Sequence, residues 1–191
     1  MAANTHSSKQ ETKIHALTNC YPGIANSIIT PVEIKNLETG EVYSTNGIWD
    51  TGASGSVITK SVADALKLDP KTQIYVNGIS GPMLSNVYYA EITLNNKNIS
   101  IFARVTECAE LSTDKSVGML IGMNIINKGD FVITNFNEQT VMSFRVPSMQ
   151  KVDFVEGLHE NKPAIANRTP RPNDTCMCGS GKKFKKCCGK R

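Results

Sequence analysis

Four thiols fall within thirteen residues near the C-terminus, in Cys176-Met177-Cys178-Gly179-Ser180-Gly181-Lys182-Lys183-Phe184-Lys185-Lys186-Cys187-Cys188. Thiolates are soft ligands, and four of them set tetrahedrally are what a structural zinc ion takes. Gly179 and Gly181 permit the tight reversal that returns the second pair to the ion held by the first, and Met177 and Phe184 are placed to roof the site. A piece this small has no apolar core, so metal binding must supply its folding energy. The other two cysteines, Cys20 and Cys108, stand alone and read as reduced thiols. A disulfide framework would spread its cysteines through the fold, so the pattern points to metal. The second group is Asp50-Thr51-Gly52-Ala53. Asp-Thr-Gly by itself suits an ordinary turn, but here the apolar run Gly47-Ile48-Trp49 leads in and Val57-Ile58 leads out.

The cysteine segment resembles the SEC-C motif, a C-x-C pair, a Gly-Ser-Gly-Lys-Lys stretch and a C-C or C-H pair, from Arg171 to Arg191. That resemblance implies zinc held by Cys176, Cys178, Cys187 and Cys188, and a role in contacting partners. A second resemblance runs over residues 27–145. The Asp50 turn, Gly78-Ile79-Ser80-Gly81 at a hairpin tip, and Leu120-Ile121-Gly122 ahead of a short helix follow the order found in the retropepsins, the single-lobed aspartic proteases. It implies a closed β barrel acting as a homodimer on protein or peptide substrates. Asp50 would be the catalytic carboxylate, and the Thr51 hydroxyl would tie the two active-site loops together across the dimer. Gly52 and Ala53 would leave room for a substrate backbone, Gly78, Ile79, Ser80 and Gly81 would form the flap, and Leu120-Ile121-Gly122 would pack behind the turn. In that chemistry two close carboxylates share one proton, one activating water while the other supports the developing oxyanion. The chain has one Asp-Thr-Gly; Asp69, Asp114 and Asp130 do not repeat it. The second carboxylate must therefore come from another copy. Viral members often carry an acid at the position of Ser54 and an arginine at that of Met123. Both are uncharged here, which leaves no orphan charge.

The elements that must hold these groups are mostly strands. Ser27 to Thr30, Pro31 to Ile34, Glu41 to Ser44 and Gly47 to Trp49 read as short strands. Tyr88, Ala90, Ile92 and Leu94 share one face by alternation, as do Ile99, Ile101, Ala103 and Val105, with Asn95 to Asn98 as the turn between. Phe131 to Thr134 and Thr140 to Phe144 form a further hairpin around Asn135 to Glu138. The best helical stretch is Ser61 to Leu68, with Thr59 or Ser61 able to cap it and Asp69-Pro70 to stop it. These patterns predict a small, mostly antiparallel β barrel with one helix, and the resemblances imply a closed barrel with one or two short helices, plus a small zinc knuckle at the C-terminus. The expected organisation is a polar leader at 1–13, a barrel domain at 14–147, a Pro- and Asn-bearing linker at 148–170 and the knuckle at 171–191.

Of the 21 Lys and Arg residues, nine lie from Lys162 onward, beside a single acid, Asp174. The tail is therefore basic and the body mildly acidic. Such a tail can attract nucleic acid, acidic lipid or an acidic partner, a protein or ribosome-like assembly included, and charge alone does not choose among them. No apolar run reaches the ~18 residues of a membrane span, and residues 1–13 lack the apolar stretch of a secretory signal, so the expected compartment is the cytoplasm. His6, His15 and His159 sit among polar neighbours and are expected to face solvent. Two functions fit: a homodimeric aspartic endopeptidase whose zinc tail recruits a partner or substrate, or a non-catalytic dimeric adaptor docking through the basic knuckle.

Overall fold

The computed structural model describes residues 13–78, 81–156 and 170–190. The leader through residue 12 with His6, the hairpin-tip residues Ile79 and Ser80, and most of the expected linker with His159 lie outside the described residues. The chain divides into two compact units, Met1–Gln150 and Lys151–Arg191.

Among the described residues the first unit has ten strands: β1 His15–Cys20, β2 Ile29–Asn36, β3 Val42–Trp49, β4 Ser56–Thr59, β5 Thr72–Gly78, β6 Gly81–Leu94, β7 Ser100–Cys108, β8 Val117–Ile121, β9 Asp130–Phe136 and β10 Gln139–Val146. Two short helices, α1 Lys60–Ala65 and α2 Met123–Ile126, complete it. Strands β2, β3, β8, β4, β7 and β6 follow one another, and β6 pairs back onto β2, so six strands close a ring. The closure depends on the length of β6. Its first half pairs with β5, Val87 opposite Thr72, and its second half turns the same edge to β2, Leu94 opposite Val32. Six of the inward residues, Ile34, Ile58, Ile92, Met119, Ile121 and Ile125, are fully buried, and the alternating set Tyr88, Ala90, Ile92 and Leu94 is buried as its spacing predicts.

Several local readings change. The two runs Ser27 to Thr30 and Pro31 to Ile34 are one strand; Pro31 lies where β2 has only β3 beside it, so its missing N–H costs no ladder bond. The α1 helix ends at Ala65, ahead of Asp69-Pro70, because Lys67 takes a positive φ of 50°. Thr59 is its N-cap without a side-chain cap; its hydroxyl meets that of Ser61 at 2.9 Å instead. Two barrel pairings, β3 with β8 and β4 with β7, are parallel. The expected hairpin of β9 and β10 is present, but with β1 it makes a separate three-stranded sheet, β1-β10-β9, which the sequence does not predict. Its β9–β10 hairpin turns at Asn137 and Glu138, both at positive φ, as the right-handed twist of a two-residue hairpin requires. Trp49 at the end of β3 joins this sheet to the barrel: it stacks on Phe131 at 5.1 Å, meets Phe144 at 5.2 Å, and donates its indole N–H to Thr30 Oγ1 at 3.0 Å.

Candidate active site and metal centre

Asp50 follows directly on Trp49, so the buried indole fixes where the turn begins. The Trp49 N–H bonds to Ile28 O and the Asp50 N–H to Ile121 O, each at 2.9 Å. The turn then folds on its own side chain, Gly52 N–H donating to Asp50 Oδ1 at 2.8 Å. The other carboxylate oxygen has no hydrogen-bond partner among the described residues, and Asp50 is half-buried. Thr51 and Gly52 are exposed and Ala53 half-buried.

The turn is held from behind by the start of α2. Ala53 O and Ser54 O accept from the N–H groups of Met123 and Asn124 at 2.8 and 3.2 Å. These are the orphan donors of a helix start, satisfied here by loop carbonyls rather than by a capping side chain. Ser56, fully buried, accepts from Gly122 N–H at 3.0 Å and donates to Asn124 Oδ1 at 2.7 Å, while Asn124 Nδ2 donates to Arg104 O at 3.0 Å. Gly122 is required by space: a Cβ there would overlap the Gly55 carbonyl and lie 2.9 Å from Ala53 O. Ser54 and Met123, the two positions without charge, thus meet through backbone bonds on adjoining residues. Ser56 and Asn124 escaped the sequence reading. Their signal was a polar residue beside each glycine-bearing turn, inside otherwise apolar runs. The result is a carboxylate on a braced turn with one oxygen free to act on a ligand.

Gly78 and Gly81 face each other at the end of the β5–β6 hairpin. Tyr75, Met83 and Leu84 on its two strands are exposed, at 76%, 52% and 53%. His15 is half-buried at the head of β1, and Cys20 is exposed. Cys108 is half-buried, its thiol pushed up to about 11 by burial and then by the neighbouring Glu107 charge, which leaves it a poor nucleophile.

In the second unit the four cysteines converge. The Sγ atoms of Cys176, Cys178, Cys187 and Cys188 all lie within 4.8 Å of one another. Cys178 and Cys187 are 3.4 Å apart, and Cys187 and Cys188 4.0 Å. A tetrahedral ion bound to sulfur at about 2.3 Å needs its sulfurs roughly 3.8 Å apart, so the set fits a metal ion. Local backbone makes this possible: Gly179 and Gly181 have φ of 77° and 69°, Thr175 bridges to Lys183, and Cys176 N–H donates to Lys182 O at 2.7 Å. The last pair is presented from a 3-10 turn, Phe184–Lys186. The thiols compete for charge. Cys178 is drawn down to about 6, first by the Ser180 hydroxyl, while Cys188 is pushed up to about 12 by Cys176 and the other two thiols. Four thiolates so close resist ionising together, the state a cation relieves. Met177 is 70% exposed and roofs nothing; a side chain alternating away from two ligands must point outward. Phe184 instead covers Gly189, where a Cβ would come within 2.7 Å of its ring.

A family model described as aspartyl protease matches residues 30–125, and a model of the SEC-C motif matches residues 173–190. The protein translocase subunit SecA of Chlorobium phaeobacteroides (strain BS1) is 66% identical over 29 residues, 15% of this chain and 3% of SecA. That of Finegoldia magna is 39% identical over 74 residues, 38% of this chain and 8% of SecA. The chain therefore spans only a small fraction of these relatives. Among solved structures, a retropepsin-like aspartic protease from Rickettsia conorii is 12% identical with a TM-score of 0.45, covering 72% of this chain and 98% of that one. The retroviral protease-like domain of Ddi1 from Leishmania major is 14% identical with a TM-score of 0.38, covering 69% and 100%.

Proposed function

Since the chain belongs to the aspartyl protease family, we propose that it is a homodimeric aspartic endopeptidase with Asp50 as the carboxylate each copy contributes. The observation that carries this is the free Asp50 oxygen on a turn braced from Ile121 to Asn124. Two such turns brought together by a two-fold axis place two carboxylates side by side, where they share one proton. The ionised one takes a proton from water as the oxygen attacks the peptide carbonyl. The protonated one hydrogen-bonds to the oxyanion, and the amine leaves with a proton. Thr51 ties the paired turns across the dimer, and Gly52 and Ala53 leave space for the substrate backbone. The hairpin ending in Gly78, Ile79, Ser80 and Gly81 closes over it as a flap. The barrel domain is taken as 14–147, the linker as 148–170 and the knuckle as 171–191. Cys176, Cys178, Cys187 and Cys188 would hold a zinc ion that supplies folding energy to the knuckle and takes no part in hydrolysis. The exposed Lys182, Lys183, Lys185 and Lys186 around it suit recruitment of an acidic partner or substrate. The proposed setting is the cytoplasm.

The test is cleavage of a peptide library by purified full-length protein beside Asp50→Asn. Activity favoured by mild acid and lost by at least about a thousandfold in the variant is expected, because the amide keeps the shape of the turn but cannot activate water. Equal cleavage by both proteins would place the nucleophile elsewhere, and no cleavage by either would favour the adaptor.

A further inference from the structure

The β5–β6 hairpin parts from the barrel at a single residue. β6 pairs with β7 from Thr93 back to Val87, opposite Ser100 through Thr106, and there the ladder ends. Both strands run on past that point, β7 to Cys108 and β6 back to Gly81. From Pro82 to Asn86, β6 is paired with β5 alone. Glu107 is thus the first β7 residue without a ladder partner on β6. Its backbone is taken up instead by one hydroxyl: Ser85 Oγ accepts from Glu107 N–H at 3.0 Å and donates to Glu107 O at 2.8 Å. Ser85 is 6% exposed, although Met83 and Leu84 beside it are more than half exposed. The Glu107 carboxylate takes the Tyr88 hydroxyl at 2.5 Å on the barrel side, so one glutamate grips β6 on both sides of the parting point.

We infer that Ser85 is a positioning residue, the pin that fixes the arm made of Thr72–Gly78 and Gly81–Asn86 to the barrel at Glu107 and so sets how much of the time the arm stands ready for substrate. The inference rests on the reading of this hairpin as the flap. The ordinary ladder bonds of β6 are shared along a row, and losing one leaves the rest in register. Past the parting point no ladder bond supports the arm on β7: its ties to Glu107 among the described residues are the Ser85 hydroxyl and a longer bond from Asn86 Nδ2 to the carboxylate at 3.4 Å. Removing the hydroxyl leaves a part-buried N–H and C=O without these partners and admits water at the hinge. An arm that is correctly placed for only a fraction of the time weakens apparent substrate binding by that fraction, while a bound complex reacts as before.

The experiment compares full-length wild type, Ser85→Ala and Ser85→Thr by amide hydrogen exchange and by steady-state kinetics. In Ser85→Ala, exchange at Glu107 and at residues 72–78 and 81–86 is expected to quicken at least about fivefold, with β8 and β10 unchanged. KM should rise about tenfold with kcat within about twofold of wild type. Ser85→Thr, which keeps the hydroxyl, should restore both. Exchange that quickens equally in β8 and β10 would mark general destabilisation and overturn the inference, as would an unaltered arm or a change confined to kcat. If no protein cleaves peptide and the arm nevertheless loosens as described, the pin stands and the flap reading falls.

Discussion

Asp50 and Asp130 are both aspartates at strand ends, and their surroundings engage them very differently. Asp130 accepts from the Ser148 hydroxyl, from Met149 N–H at 2.8 Å and from Arg145 Nε at 2.7 Å. These bonds, the Ser148 hydroxyl first, hold its carboxyl well below the usual carboxylate range. Asp50 has a single backbone bond and an oxygen to spare. Saturation marks a structural carboxylate, and an open valence marks one available for chemistry. The sign of the Asp130 effect follows from its depressed value. The group stabilises the fold above the ordinary unfolded value of about 3.9 and loses that contribution as pH falls toward its folded value. Asp130→Asn should therefore lower stability at pH 7, and the gap to wild type should narrow below pH 4. Urea unfolding at pH 7 and pH 3 measures this, and a constant gap would show that the charge contributes nothing. Retaining this lock in mild acid suits a molecule whose proposed dyad works with one proton shared.

The barrel's strands were legible where alternation was strong, as in Tyr88 to Leu94, and where a turn carried Asn and Gly. The turn at Asp50 was legible as well, since an apolar lead-in and small residues mark a bend. What holds the turn was not, because Ser56 meets Gly122 and Asn124 across 66 and 68 residues, and periodicity reports only neighbours. The parallel pairings escaped for the same reason, and so did the addition of β1 to the β9–β10 hairpin, since His15, Thr18 and Asn19 make half of that strand polar. At this scale the decisive contact is the loop at Ala53 to Gly55 against α2. Gly122→Ala drives a methyl into the Gly55 carbonyl, and overpacking of this kind costs about 1–3 kcal/mol. Its φ of −95° is open to any residue, so the loss is steric rather than conformational. Denaturant unfolding should show the loss, with activity falling further than stability because the Asp50 turn is what moves. A neutral Gly122→Ala would mean that the loop yields freely.

The molecule as a whole combines a barrel with its own apolar core and a second unit in which four thiols converge. Purified protein should carry about one zinc per chain, and the double variant Cys187→Ser, Cys188→Ser should carry none. Chelation should abolish amide protection in residues 171–190 and leave dimer sedimentation, barrel unfolding and short-peptide cleavage unchanged. Loss of cleavage on chelation would make the knuckle part of the catalytic assembly, and a knuckle equally protected without metal would dismiss its dependence on the ion. The β1 strand has a different dependence, one that plays out in time. Thr18 on β1 meets Ser143 on β10 across 125 residues. At about 5–20 residues per second of synthesis, β1 waits roughly 6–25 s for its partner to leave the ribosome. The six-strand ring needs neither β1 nor β10, so it can close during that interval, and the small sheet is then added to a barrel already formed. Leu17, buried at the end, spends that interval in water, where a chaperone or a neighbouring nascent chain can reach it.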